Sequence, residues 1–193
     1  HLDRTCTVGD GIRSLSPWQG KKLSQDYGAT AQQGKVLRSV PASGAASRMF
    51  ADWYSAAQTG SFGSESRDRS FFADLKKMPF MSILQKDNSV RQNIRQRNLR
   101  AVLERILLPD GFCFGWLPKA LIPFHAYRNG EVRTAFEEHL MEAAGYAAGT
   151  GGLCRLHFTV SHEHVQDVRD LMKRLLLQYE KRCQVRFKVD LSI

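Results

Sequence analysis

The stretch LRSVPASGAASRMF, residues 37–50, changes character twice along its length. Lys35 to Val40 has the β-branched and apolar content of a short buried strand. After Pro41, the run Ala42, Ser43, Gly44, Ala45 and Ala46 offers only small side chains. From Ser47 the pattern turns helical, with Met49, Phe50, Trp53 and Tyr54 at spacings that share one face. A strand, a loop of small residues and a helix start together make the physical recipe for a phosphate site. Unpaired amides at a helix start point outward, the helix dipole favours an anion there, and small side chains let phosphate oxygens come close. Arg48, at the far edge of the loop, adds a charge-assisted contact. The same run also suits a tight strand-to-helix turn beneath a closely crossing helix. Neither common glycine fingerprint is present: there is no Gly-Lys-Ser/Thr, and one glycine stands where a dinucleotide loop has three.

Working outward, Gly111 to Tyr127 (GFCFGWLPKALIPFHAY) is apolar and irregular, broken by Pro118 and Pro123. A lysine buried in such a segment is costly unless it meets an anion, which singles out Lys119; the alternative is a lysine that snorkels to solvent. Asn129-Gly130 reads as a turn. Thr134 with Glu137 forms a capping box, predicting a helix that carries Phe136, Leu140, Ala143, Ala144 and Ala147 inward. Leu153 to Ser161 alternates as a strand, Val165 to Tyr179 is an amphipathic helix, and Gln184 to Leu191 is a further strand. This order predicts right-handed crossovers and a parallel sheet of at least three strands, the Leu37 strand included. The fold class is therefore α/β, a mostly parallel sheet with flanking helices.

On the N-terminal side, Ser16-Pro17 caps a helix expected to point Trp18, Leu23 and Tyr27 inward. Thr59 to Ser64 is a break. Arg67 to Met78 reads as a helix, and Val90 to Leu108 as one continuous helix with an apolar face and a basic one. Residues 59–110 are thus expected as a helical insertion within a single α/β domain spanning 1–193. The outward arginines of the second helix (Arg91, Arg95, Arg97, Arg100, Arg105) suit nucleic acid, or a solvated face. No aromatic residues interleave with them for base stacking, which favours the solvated face.

The 193 residues carry a net charge of +9, consistent with a polyanionic ligand, either nucleic acid or a nucleotide with its phosphates. Four scattered cysteines form no CxxC pair, which argues for free thiols in a reducing, cytoplasmic setting and against a zinc ribbon. No apolar run has membrane-spanning length. His162-Glu163-His164 follows a strand, where ligands gather in parallel sheets, yet no third metal partner is marked; a polar helix cap is the other reading. No Ser/His/Asp or Cys/His nucleophile arrangement assembles, and no metal site is assigned.

In order, PASGAASRM, LPKALIP and the turn at Gly130 leading into RTAFEEHLMEAA resemble the nucleotidyltransferases that make nucleotide-activated sugars. That resemblance implies a Rossmann-like, glycosyltransferase A-type fold, here incomplete. It implies that Ser43, Gly44, Ala45, Ala46 and Ser47 cradle nucleotide phosphates, and that Arg48 and Lys119 act as the catalytic cations on the triphosphate. It further implies Mg²⁺ in the full-length protein, with a nucleoside triphosphate and a phosphorylated small molecule as partners and pyrophosphate as product. Two loop glycines of that family are Ser43 and Ala46 here. Arg48 and Lys119 lie much further apart in the chain than in the family, and nothing matches its metal-binding aspartate. These departures leave a non-catalytic nucleotide sensor or scaffold as the alternative. The longer run of LRSVPASGAASRMF, KALIPFHAY, TAFEEHLMEAAGYA and FTVSHEHV more closely resembles an uncharacterised bacterial family of domains of unknown function, number 4301 in its series. Its members are longer, so the chain is expected to be an N-terminal portion.

Overall fold

Alternation along three strands sets the architecture. β3 (Leu37–Pro41), β6 (Leu153–Thr159) and β7 (Arg186–Ser192) form a parallel sheet in the order β3-β6-β7, within a computed structural model that describes residues 3–193. The expected three parallel strands are present, and the chain is mixed α/β. Strand order follows chain order, so no reversal occurs within this sheet. Val40, Phe158 and Leu191 share one register row. They lie on the face covered by α7 (Ala135–Tyr146) and α8 (Val165–Cys183). The stacked rings of Phe136 and Phe158, 4.1 Å apart, stand at the centre of that core. Each fully buried side chain of this size contributes about 1.5–3 kcal/mol.

Among the described residues the opposite face of the sheet is left largely exposed. Leu37, Arg155, Lys188 and Asp190 are exposed there, and His157 Nε2 lies 2.8 Å from the Ser192 hydroxyl. Lys35–Val40 is therefore not a buried strand: only Val40 within it is buried, because helices cover one face alone. Parallel sheets are ordinarily covered on both faces.

A second core is built by helices. α2 (Ala51–Thr59), α3 (Glu65–Leu75), α4 (Met81–Leu84), α5 (Asn88–Gln96) and α6 (Leu99–Leu107) enclose Phe50, Phe72, Leu75, Phe80, Leu103 and Ile106. The single helix expected over Val90–Leu108 is two helices. Arg97 adopts a left-handed conformation (φ 54°), and the Asn98 side chain then caps the Ala101 amide to start α6. The basic stripe is divided accordingly. Arg105 is drawn to Asp87 at 2.9 Å and Arg100 to Glu104 at 2.9 Å.

The irregular segment after α6 has a clear physical task. The amides of Phe112, Phe114 and Gly115 donate to the carbonyls of Arg105, Ile106 and Leu107, satisfying the end of the helix. So close a run demands glycine. A Cβ on Gly111 would sit 1.8 Å from the Arg105 carbonyl oxygen. Gly111→Ala is accordingly expected to cost about 1–3 kcal/mol through overpacking, read as a lower urea midpoint at unchanged slope.

The N-terminal elements are peripheral. β1 (Thr7–Val8) and β2 (Gly11–Ile12) are two-residue pairings in a turn. α1 (Pro17–Gln32) begins at the expected Ser16 cap, which Gln19 completes as a capping box, but its apolar residues do not point inward: Trp18 is 70% exposed, and Leu23 and Tyr27 are also exposed. At 3.6 residues per turn, Trp18 falls on the opposite side of the helix from Leu23 and Tyr27, so no stripe forms. α1 is held at its C-terminal end, where Ala31 is buried and the Thr150 amide donates to Gln32 at 2.7 Å.

A hairpin missing from the sequence reading, β4 (His125–Ala126) with β5 (Val132–Arg133), is closed by the Asn129-Gly130 turn. The expected Thr134–Glu137 capping box follows and starts α7.

Candidate phosphate-binding site

The loop after β3 leaves the sheet at its C-terminal edge. The Ala42 amide still donates to Thr159 of the central strand at 2.8 Å. Ala42 is buried in the core of the sheet, whereas Ala46 is buried in the helical core, so Ser43–Ala45 spans the seam between the two. Ala45 forms an antiparallel bridge with Pro118, and the Lys119 amide donates to the Gly44 carbonyl at 3.0 Å. Two segments far apart in sequence are thus neighbours through their backbones.

Ser43, Gly44, Ala45, Ser47 and Arg48 are exposed. Among the described residues their amides donate to no backbone acceptor. A Cβ at Gly44 would meet nothing within 4 Å, so the fold does not itself demand glycine there; its small size keeps the approach to the loop open. The helix does not start at Ser47. The amides of Met49 and Phe50 turn back onto the Ala46 carbonyl (2.9 and 3.3 Å), and α2 proper begins at Ala51 with no side-chain cap. The loop is a turn leading into a helix rather than a helix N-terminus, so an anion there would meet only the unpaired amides and the nearby charge.

Lys119 opens a 3₁₀ turn, Lys119–Leu121, and its side chain is exposed. The argument that burial forces it to find an anion therefore falls, because Pro118 takes the buried position instead. Arg48 is likewise exposed. Among the described residues neither pairs with a carboxylate, which leaves both charges free for a ligand.

Ser161, His164 and Trp116 gather at the same sheet edge. The Ser161 hydroxyl is buried without a hydrogen-bond partner. His164 is 5% exposed, with Nδ1 3.4 Å from Asp167, so the His162–His164 segment is a 3₁₀ turn leading into α8. Against the His164 ring lies the indole of Trp116, with centroids 5.9 Å apart. Burial, and then the charge of Asp167, push the Cys113 thiol above its ordinary pKa, so it is not an activated nucleophile. Among the described residues no three His, Cys, Asp or Glu side chains gather as a metal site, and no helix is long and apolar enough to cross a membrane.

A family model described as a domain of unknown function, DUF4301, matches residues 1–193. No curated protein and no solved structure matches the chain.

Proposed function

The chain belongs to the DUF4301 family, whose description names no activity, and on that premise we propose a nucleotide-binding, nucleotidyltransferase-like domain. The observation that carries this reading is the Ala45–Pro118 bridge, which joins the loop of unpaired amides to the segment that presents Lys119. In this reading the amides of Ser43, Gly44, Ala45 and Ser47 orient the phosphates of a nucleoside triphosphate, whereas Ala46, expected in the same cradle, is fully buried in the helical core and takes no part. Arg48 and Lys119 offset the charge that develops as a phosphorylated acceptor, such as a sugar phosphate, attacks the α-phosphate and pyrophosphate leaves. No protein nucleophile is required. The fold would be a Rossmann-like sheet of the glycosyltransferase A type. The Mg²⁺ that accompanies a triphosphate finds no protein cage among the described residues, and no step is assigned to it.

Calorimetric titration with Mg²⁺-nucleoside triphosphates tests the binding half of the proposal. Saturable binding is expected, weakened in Gly44→Val because the new side chain covers the amides, with the urea midpoint of that variant unchanged. No heat with any triphosphate, or equal affinity in Gly44→Val, would overturn it.

The absence of a carboxylate cluster favours a second reading, a non-catalytic nucleotide sensor or scaffold of the same fold. A pyrophosphate-release assay over a panel of sugar phosphates separates the two, since the sensor binds triphosphate and releases nothing.

A further inference from the structure

Trp116 combines a fixed base with an open face. Its amide donates to the Cys113 carbonyl at 3.0 Å, in a turn already tied to the end of α6. Its indole rests on His164, which is itself buried and held by the Ser161 carbonyl and by Asp167. The two rings meet at 71°, and Trp116 remains 62% exposed, so a broad face of the indole lies open to solvent. Leaving so large an apolar ring in water is unfavourable unless something covers it. Lys119 lies three positions further on, within about 10 Å along the chain, so one extended ligand can reach both.

We propose that the indole of Trp116 is the platform on which the base of the bound nucleotide stacks, with His164 as the positioning residue beneath it. This rests on the phosphate reading of the Ser43–Arg48 loop and extends it to the other end of the ligand. Stacking tolerates any base, since every base presents a π-face, so the platform supplies affinity rather than base identity. The ligand class is therefore an aromatic nucleoside phosphate, as opposed to a phosphate ester without a ring.

The test compares a nucleoside triphosphate with inorganic tripolyphosphate, in wild type, Trp116→Ala and Trp116→Phe, by calorimetry and tryptophan emission. Wild type is expected to bind the nucleotide more tightly, with emission quenched by the nucleotide and not by tripolyphosphate. Trp116→Ala is expected to weaken nucleotide binding roughly tenfold, about 1.4 kcal/mol, and to leave tripolyphosphate binding unchanged. Trp116→Phe keeps a ring and retains most of the affinity. Equal loss for both ligands, or no loss for the nucleotide, overturns the stacking role while the phosphate site stands. If tripolyphosphate and nucleotide both fail to bind wild type, the phosphate reading fails and takes the platform with it.

Discussion

Arg133→Ala is expected to lower stability by about 3–5 kcal/mol, a large fraction of what a domain of this size has in total. Arg133 belongs to the hairpin strand β5, and its side chain is 7% exposed. It reaches Glu131 at 2.7 Å and Glu138 at 3.3 Å, and lies over the ring of Tyr127 at 4.2 Å. Glu131 is gripped a second time by Arg182 of α8 (3.1 Å), and Tyr179 of the same helix donates to Glu137 at 3.1 Å. The network thus ties the hairpin to both helices that cover the sheet. Removing its central cation leaves Glu131 and Glu138 poorly solvated with less to offset their charge. Arg133→Met should be nearly as damaging, because volume is restored and charge is not. Adding Glu138→Gln to that variant should recover part of the loss, and a urea double-mutant cycle measures how much.

Acid dissects the same network. Hydrogen bonds from Arg133 and then Arg182, working against burial, hold the Glu131 carboxyl far below the ordinary carboxylate range. A group whose pKa is depressed on folding stabilises at pH above its unfolded value. That stability is lost as pH falls toward the folded value. Wild type should therefore lose this contribution progressively below about pH 4.5, and Arg133→Ala, which has already lost most of it, should show a shallower dependence there. Parallel curves for the two proteins would contradict the assignment.

The second large effect falls on binding. Arg48→Ala and Lys119→Ala are each expected to weaken triphosphate affinity by about ten- to a hundredfold, the range of a lost charge-assisted hydrogen bond of about 1.5–3 kcal/mol. Both side chains are exposed and without carboxylate partners among the described residues, so the urea midpoint should move by less than about 0.5 kcal/mol in equivalent stability. With both cations on one polyphosphate, as proposed, the double variant should lose less than the sum of the single losses. Added salt should narrow the difference between wild type and either variant. Unchanged affinity in both single variants would remove these residues from the site.

Local signals carried the fold a long way. The Ser16 cap, the Thr134 capping box, the strand and small-residue loop of 37–46 and the three parallel strands could be read because each leaves a signal in local pattern or element order. The break at Arg97 could not, since a left-handed helix end normally announces itself with glycine or asparagine and here uses arginine. The apolar neighbours of Lys119 fit either a lysine buried against an anion or one that snorkels to solvent; the backbone turns at the buried Pro118 and the side chain is exposed, as in the second. Trp18, Leu23 and Tyr27 supply apolar content without the angular clustering that a buried stripe needs. The approach of Gly44 to Lys119 depends on the path of the whole intervening helical layer, which no local pattern encodes. The pairing of Trp116 with His164 leaves no local signal for the same reason, as it joins two loops through space.

The loop from Ser43 to Ala45 crosses from one hydrophobic cluster to the other, and Leu121 and Ile122 do the same on the facing segment. Whatever occupies that junction grips both halves at once, as a clasp does. A tight occupant should therefore raise the unfolding midpoint of both cores together rather than of one alone.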